Sequence, residues 1–140
     1  MNIIQKEFSL RQRQRGFHLI TDEIIDNIPE LRNFKTGMAN IFIKHTSASL
    51  TINENADPDV RTDFETYFNL LIPENSKHFL HTSEGSDDMT SHIKSSILGC
   101  SLNIPIKNSS FNMGIWQGIY LCEHRNHGGK RNICVTLFGM

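Results

Sequence analysis

The chain has 140 residues, with 14 lysines and arginines against 15 aspartates and glutamates, which gives a formal net charge of −1. This length fits one domain and falls well short of the roughly 250 residues of a (β/α)8 barrel. The near-neutral charge offers no basic field for nucleic acid, so any anion site must be local. No apolar run approaches about 18 residues and the start carries no secretory signal, so we expect a cytoplasmic protein without a membrane span.

The N-terminal part alternates between strand and helix patterns. Alternation over Ile4–Leu10 and the apolar run Phe17–Ile20 predict two strands separated by a basic loop. Thr21 is followed by acidic residues and an apolar stripe, which predicts a short helix capped by Thr21 and weakened at Pro29. The run Met38–Lys44 is rich in isoleucine and phenylalanine and predicts a buried strand.

The rest of the chain is predicted to hold two capped helices and then strands. Asp57 as cap, a proline at the first helical position and apolar residues at helical spacing predict a helix that ends before Pro73. Thr90 predicts the cap of a second helix, which Gly99 ends. Four β-rich segments follow, over 101–106, 111–115, 116–124 and 131–138. Without βαβ repeats, this order favours a single α+β domain over residues 1–140.

Polar side chains first concentrate over His45–Arg61, between the buried strand and the first long helix. Such density at a helix N-terminus is typical of binding sites, because the helix presents free N–H groups there. Asp57 is explained equally well as a helix cap. Glu54 and Asn55 are less easily explained by local structure.

A second polar group lies over Glu84–Lys94. Asp88 and His92 are four positions apart at the start of the predicted helix, so a carboxylate and an imidazole can share one helical face. This pair suits metal ligation, the orientation of a general base, or an ordinary surface interaction. The stronger HExxH pattern is missing, so the sequence leaves these alternatives open.

The third polar group lies over Gly114–Arg131, in the predicted strand 116–124 and the turn after it. Glu123 and His124 are neighbours there and must point to opposite faces unless a bulge intervenes. The HGGKR turn then offers backbone N–H groups and the cations Lys130 and Arg131, which suit an oxyanion such as phosphate. Both cations fit a solvated hairpin turn as well. Cys122 is expected to be a small buried hydrophobe.

These three groups resemble the YjbQ family through the segments HTSASLTINENADPDVR, EGSDDMTSHIKSSILGCSLNIPI and GIWQGIYLCEHRNHGGKRNICVTLFG. The resemblance implies an α+β domain with a mostly antiparallel, β-sandwich-like core and two to three helices, assembled as a homotrimer. It also implies a secondary thiamine-phosphate synthase activity. That reaction joins hydroxymethylpyrimidine diphosphate to a thiazole phosphate and releases pyrophosphate. Ile115 departs from the threonine usual in the family.

We therefore expect a transferase with weak thiamine-phosphate synthase activity; the alternatives are a non-catalytic binding module for a phosphorylated metabolite and a metal-dependent hydrolase. The expected ligand is a phosphorylated small molecule, without nucleic acid or membrane as partner. A divalent ion, Mg or Zn, is the one cofactor considered, because no phosphate-binding loop or dinucleotide motif is present.

The residues expected to form the site fall into three groups. The expected catalytic residues are His45, Glu54, Glu84 and His124. The expected substrate-binding residues are Asn53, Asn55, Gln117, Arg125 and Lys130. The expected metal ligands are Asp57, Asp88, His92 and Glu123. Trp116 is expected in the core or in a subunit interface.

Overall fold

Two antiparallel sheets and three helices make up the fold in a computed structural model that describes all 140 residues. The strands are β1 (Asn2–Leu10), β2 (Gly16–Leu19), β3 (Thr36–Ile43), β4 (Ala48–Glu54), β5 (Ser101–Lys107), β6 (Ser110–Phe111), β7 (Gln117–Glu123) and β8 (Arg131–Gly139). The helices are α1 (Thr21–Asn27), α2 (Pro58–Leu71) and α3 (Asp88–Leu98), with a 3-10 turn over Pro29–Asn33. The expected α+β class is confirmed.

The elements form three layers. The larger sheet has the strand order β1-β8-β3-β5-β6 and packs on the smaller sheet, β2-β7-β4, through a core of 18 buried residues from both sheets and the α1 region. The other face of the smaller sheet carries Phe17 and Tyr120, against which Phe64 and Phe68 of α2 pack. The smaller sheet is therefore covered on both faces.

Strand β4 is absent from the sequence predictions, which treat this stretch as polar loop. It pairs with β7 along its whole length, so that Ser49 lies opposite Cys122 and Leu50 opposite Leu121. Because both faces of this central sheet are covered, Ser49 and Leu50 are both fully buried. Its apolar residues Ala48, Leu50 and Ile52 belong to the core between the sheets or pack against it, and they alternate with polar residues.

Two predicted helix caps are wrong, and one is confirmed. Asp57 caps α2 by accepting a hydrogen bond of 2.9 Å from the Asp59 N–H. Thr21 is instead the first residue of α1, and its Oγ1 accepts the Ile119 N–H at 2.9 Å, which ties the helix to β7. Thr90 lies inside α3, because this helix begins earlier, at Asp88.

The predicted strand over 111–115 is also shorter than expected. Only Ser110 and Phe111 pair with β5, after a turn in which Asn108 and Ser109 have positive φ. The following loop leads to Trp116, whose 63% exposure removes it from the core of the single chain. No helix is long and apolar enough to cross a membrane.

Candidate functional site

A group of three potential metal ligands lies where the α2–α3 loop meets the start of α3. One ligand atom from each of His81, Asp88 and His92 lies within 4.8 Å of the others. Asp88 is central, since its Oδ2 is 2.6 Å from His81 Nε2 and 3.0 Å from His92 Nε2. Asp88 is 2% exposed, whereas both imidazoles reach solvent. The group is therefore anchored on the buried side and open on the other, and we call it the His81–Asp88–His92 triad.

The backbone fixes the orientation of His92. Its Nδ1 lies 3.0 Å from the Thr46 carbonyl oxygen, which can only accept, so Nδ1 carries a proton. The neutral ring then has its lone pair on Nε2, directed at the Asp88 carboxylate. Two acceptors facing each other need a cation or an additional proton between them. A histidine whose one nitrogen donates to a backbone carbonyl, with its other nitrogen turned toward a carboxylate, has the tautomer usual for a metal ligand.

Arg125 holds the acidic side of the triad. Its Nη1 is 2.5 Å from Asp88 Oδ1, its Nε is 3.2 Å from Asp87 Oδ2, and its Nη2 donates to the Glu84 carbonyl at 3.0 Å. Burial by itself raises the pKa of Asp88, but the hydrogen bond from His81 and the nearby positive charges outweigh it and lower that pKa below its ordinary value. Asp88 is therefore a carboxylate, with Oδ2 left for the imidazoles.

Glu84 provides a second carboxylate at the open rim. Its side chain is 62% exposed, and its Oε2 lies 3.4 Å from His81 Nε2. The hydrogen bond between His81 and Asp88 raises the pKa of His81, and the charge of Glu84 adds to this effect. Unlike the carboxylate of Asp88, that of Glu84 is not paired with an arginine.

Glu123 and Arg131 form a buried ion pair. Glu123 was expected to be a metal ligand, and a solvated cation was one alternative for Arg131. Arg131 Nε and Nη2 donate to the two Glu123 oxygens at 2.8 and 2.6 Å. The first glycine of the HGGKR turn permits this contact, because a Cβ on Gly128 would lie 2.4 Å from Glu123 Oε1. The alternative of a solvated Arg131 is therefore wrong. Lys130 remains exposed, as that alternative describes.

His124 is buried on the opposite face of the same strand region. Its Nε2 lies 2.8 Å from Ser49 Oγ, and burial, with the charges of Lys94 and Arg15 adding to it, lowers the pKa of His124 to about 3. The imidazole is consequently neutral and 1% exposed. Cys122 is fully buried, as expected, and burial raises the pKa of its thiol to about 12.

His45 and His92 lie in the walls of one cleft of about 610 Å³. The Nε2 of His45 accepts the Asn132 N–H at 2.8 Å. The segment 45–47 thus contacts β8 through His45 and the triad through Thr46. Of the residues expected from the sequence, the structure brings His45, Glu84, Asp88, His92 and Arg125 into this region.

The remaining expected site residues lie around the β4–α2 turn and mainly satisfy local backbone groups. Glu54 Oε2 accepts the N–H groups of Ala56 and Asp57, Asn53 Oδ1 accepts the Glu54 N–H, and Asn55 donates to the Ile115 and Gln117 carbonyls. Gln117 in turn accepts the Gly114 N–H. None of these side chains joins the triad.

A larger cleft, of about 870 Å³, lies beside Asn55 and Gln117. Of the two arginines that line it, Arg13 is already paired with Glu23 at 2.5 Å. No cluster of metal-ligating side chains faces this cleft. We therefore place the candidate site at the triad and the cleft beside His92, where the polar groups with unusual surroundings converge.

His81 is missing from the sequence predictions, and Arg131 is expected there only as a cation of the HGGKR turn and not as a buried partner of Glu123. His81 lies in an irregular loop seven positions before Asp88, where no periodicity places a side chain. Arg131 is buried only because the hairpin folds it onto Glu123, eight positions earlier. An acid and a base flanking a two-glycine turn were the available signal for this second contact.

The fold and these polar groups define a small α+β protein built on two antiparallel sheets. Residues 6–140 match the family described as UPF0047 protein YjbQ-like, and the chain belongs to this family. The expected resemblance is confirmed.

Known relatives support the match in sequence and in structure. The chain is 51% identical over 135 residues to the UPF0047 protein YjbQ of Salmonella typhimurium, covering 96% of this chain and 97% of the relative. A crystal structure of a YjbQ/UPF0047 family protein from Clostridium acetobutylicum matches with a TM-score of 0.83 and 34% identity, over 95% of this chain and 99% of that one. A protein from Sulfolobus solfataricus, with TM-score 0.85 and 24% identity over 99% of both chains, shares the fold.

Proposed function

We propose that this protein is a metal-dependent hydrolase of a small phosphorylated molecule, with His81, Asp88 and His92 as the metal ligands. The observation that carries the proposal is the orientation of His92, whose Nδ1–H is held by the Thr46 carbonyl while its Nε2 faces Asp88 Oδ2 at 3.0 Å. A divalent ion among the three ligands removes the conflict between these two acceptors.

The donor set favours zinc or a similar transition ion over magnesium. Imidazole nitrogens suit Zn²⁺, Fe²⁺ and related ions, whereas Mg²⁺ takes carboxylates, phosphates and water. Three protein ligands leave a coordination position open, as in catalytic zinc sites. When bound, such an ion supplies Lewis acidity toward a phosphoryl oxygen and lowers the pKa of water.

Residues around the triad have distinct roles in the proposed hydrolysis. Arg125 keeps Asp88 in place and has N–H groups left to donate to a phosphoryl oxygen, since it uses one hydrogen bond per nitrogen here. Glu84 takes the proton of the attacking water as the new O–P bond forms. The ester P–O bond breaks, and the leaving alkoxide receives that proton, which yields an alcohol and inorganic phosphate.

Metal content and hydrolysis are measured on protein purified without chelators and without a histidine tag. We expect one zinc ion per chain by elemental analysis, and loss of that zinc in Asp88→Asn and His92→Gln. The matched controls are Asp59→Asn and His78→Gln, which alter exposed residues outside the triad. Release of inorganic phosphate from a panel of phosphomonoesters should depend on the same ion. A wild-type chain that binds no divalent ion contradicts the proposal.

The second candidate is the thiamine-phosphate synthase reaction implied by the family resemblance. It is favoured by Arg125 beside the triad, because departure of pyrophosphate requires cations on the leaving group. Incubation with both phosphorylated precursors and Mg²⁺ or Zn²⁺ tests it, and thiamine phosphate should form faster with wild type than with Arg125→Gln. Saturable binding of phosphorylated compounds without turnover would instead support the binding module.

We also propose that the chain assembles as a homotrimer. Helix α2 leaves Tyr67, Leu70 and Leu71 exposed, and the neighbouring loop leaves Leu80 98% exposed. Large apolar side chains grouped on a surface commonly mark an interface. Light scattering after size-exclusion chromatography should give three times the mass of the chain. A double change, Leu70→Glu with Leu71→Glu, should yield monomers, and a wild-type monomer contradicts the assembly.

A further inference from the structure

The cleft beside His92 is connected to the triad by a single short segment of chain. Thr46 contributes the carbonyl that holds His92, and the residues on either side of it, His45 and Ser47, contact β8. The cleft of about 610 Å³ is lined by His45, Thr46, His92, Ser95, Ser96 and Cys100, with Gly99 at its floor. A molecule in this cleft would therefore contact both His92 of the triad and the imidazole of His45.

The hydrogen bonding of His45 determines which of its nitrogens carries a proton. Its Nε2 lies 2.8 Å from the backbone nitrogen of Asn132, which can only donate, so Nε2 is the acceptor. The neutral ring therefore carries its proton on Nδ1. Burial, with the charge of Arg131 adding to it, lowers the pKa of His45, which agrees with a neutral ring at pH 7.

The group nearest to that Nδ1–H is a second donor. Arg131 Nη1 lies 3.3 Å from His45 Nδ1, and a guanidinium has no acceptor. Four of the five Arg131 N–H groups are used by Glu123 and by the hydroxyl and carbonyl of Ser47. The fifth faces the Nδ1–H of His45.

The Nδ1–H of His45 and an Nη1–H of Arg131 thus point toward each other without an acceptor between them. The Arg131 side chain is only 5% exposed. Unpaired buried donors are costly, and native structures rarely keep them without a reason. Reversing the tautomer does not help, because Nε2–H would then face the Asn132 N–H at the shorter distance of 2.8 Å. An oxygen atom placed between the two groups would accept from both.

We propose that His45 and Arg131 form an oxyanion subsite in which both donate to one phosphoryl oxygen of the substrate. This inference rests on the proposed metal-dependent function, since the same substrate would extend along the cleft to the triad. A negatively charged oxygen suits the subsite better than a neutral one, because charge-assisted hydrogen bonds are the stronger kind. His45 is then a substrate-binding donor, whereas the sequence places it among the expected catalytic residues.

The test uses two amide substitutions that separate the two ring nitrogens. The His45→Asn side chain places an amide N–H near the position of Nδ1, whereas His45→Gln reaches the position of Nε2 and leaves the Nδ1 position empty. Inorganic phosphate is the probe, titrated by calorimetry into the full chain at pH 7, both metal-free and zinc-loaded. His78→Gln serves as the control, and circular dichroism checks that each variant is folded.

We expect phosphate to bind at least about tenfold more weakly to His45→Gln, which corresponds to the loss of one good hydrogen bond. His45→Asn and His78→Gln should stay close to wild type, and the zinc content should be unchanged in all of them. Equal affinities of wild type and His45→Gln, or no phosphate binding to wild type, would overturn the inference. If the chain binds no zinc but the His45 effect persists in metal-free protein, the metal assignment fails and the oxyanion subsite stands.

Discussion

Arg125 and Asp88 are joined by a contact of 2.5 Å between Nη1 and Oδ1, which leaves Asp88 Oδ2 as the oxygen that faces both imidazoles. The arginine thereby decides which carboxylate oxygen is available to a metal. It comes from the turn after β7, whereas Asp88 begins α3, so the contact also fixes that helix on the smaller sheet.

Replacing Arg125 by glutamine should weaken zinc binding without abolishing it. Loss of a group that orients a metal ligand typically lowers metal affinity by about 10–100-fold, while the ligand itself remains. Competition with a chromophoric chelator measures this, and the zinc content at saturation should equal that of wild type. Arg32→Gln is the matched control, since Arg32 is exposed and bonds only to the Pro29 carbonyl. An unchanged affinity would mean that Asp88 is oriented by the histidines alone.

Replacing Glu84 by glutamine should lower turnover and leave metal binding intact. Loss of a general base costs about 10²–10⁴-fold in rate, and Glu84 is not one of the three ligands. Initial rates of phosphate release and zinc content are both measured, with Glu7→Gln, at an exposed position of β1, as the control. Simultaneous loss of zinc and activity would make Glu84 a ligand and remove its assignment as the base.

The predictable part of the fold was the part with strong local signals. Helix α2 follows from Asp57, Pro58 and its apolar spacing, and the strands flanking the HGGKR turn follow from their composition. Strand β4 alternates apolar Ala48, Leu50 and Ile52 with polar residues, but the polar density of the surrounding stretch favours a loop, and only its pairing with β7 shows it to be a strand. The early start of α3 likewise depends on the Arg125 contact to Asp88, which is distant in sequence.

The candidate site likewise has residues that local sequence spacing predicts and residues that it does not. Asp88 and His92 are recognisable as a pair because four residues make one helical turn. His81 lies in a loop, and Arg131 is buried only by its pairing across a hairpin with Glu123, so neither position follows from local spacing. The density of polar residues indicates the region of the site. The nitrogen of His45 that carries the proton follows only from its contact with the Asn132 N–H, which the sequence does not show.

Replacing Glu123 by glutamine should destabilise the whole domain. Removal of one partner of a buried ion pair leaves an uncompensated charge and typically costs about 3–5 kcal/mol. The free energy of unfolding is measured by urea titration followed by circular dichroism. Glu7→Gln breaks the exposed pair with Lys44 and should cost no more than about 1 kcal/mol. Similar small effects of both substitutions would contradict the importance of the Glu123–Arg131 pair.

The cysteines should react in an order set by burial. Cys100 is exposed, whereas Cys122 is fully buried and its thiol has a pKa raised to about 12 by that burial. Because the thiolate is the reactive form, native protein treated with iodoacetamide should be labelled at Cys100, and Cys122 only after denaturation. Peptide mass spectrometry distinguishes the sites. Equally fast labelling of both in native protein would show that the α2-covered face opens readily.

His124 should make the protein sensitive to acid in a defined pH range. Its pKa of about 3 in the folded chain lies below the ordinary value of 6.5, because burial and the nearby charges of Lys94 and Arg15 disfavour the imidazolium. The unfolded chain therefore binds a proton in this range that the folded chain does not bind. The corresponding stability is complete above pH 6.5 and is lost as the pH falls toward about 3, at up to roughly 1.4 kcal/mol per pH unit.

His124→Gln isolates this contribution, because glutamine can still bond to Ser49 but does not titrate. The free energy of unfolding of wild type minus that of the variant should decrease as the pH is lowered from 6.5 toward about 3. Urea titrations at several pH values give this difference, in which the contributions of the carboxylates cancel. His78→Gln, on the exposed loop, should follow wild type throughout. A difference that stays constant with pH would mean that the pKa of His124 is the same in the folded and the unfolded chain, which contradicts the effect of its burial.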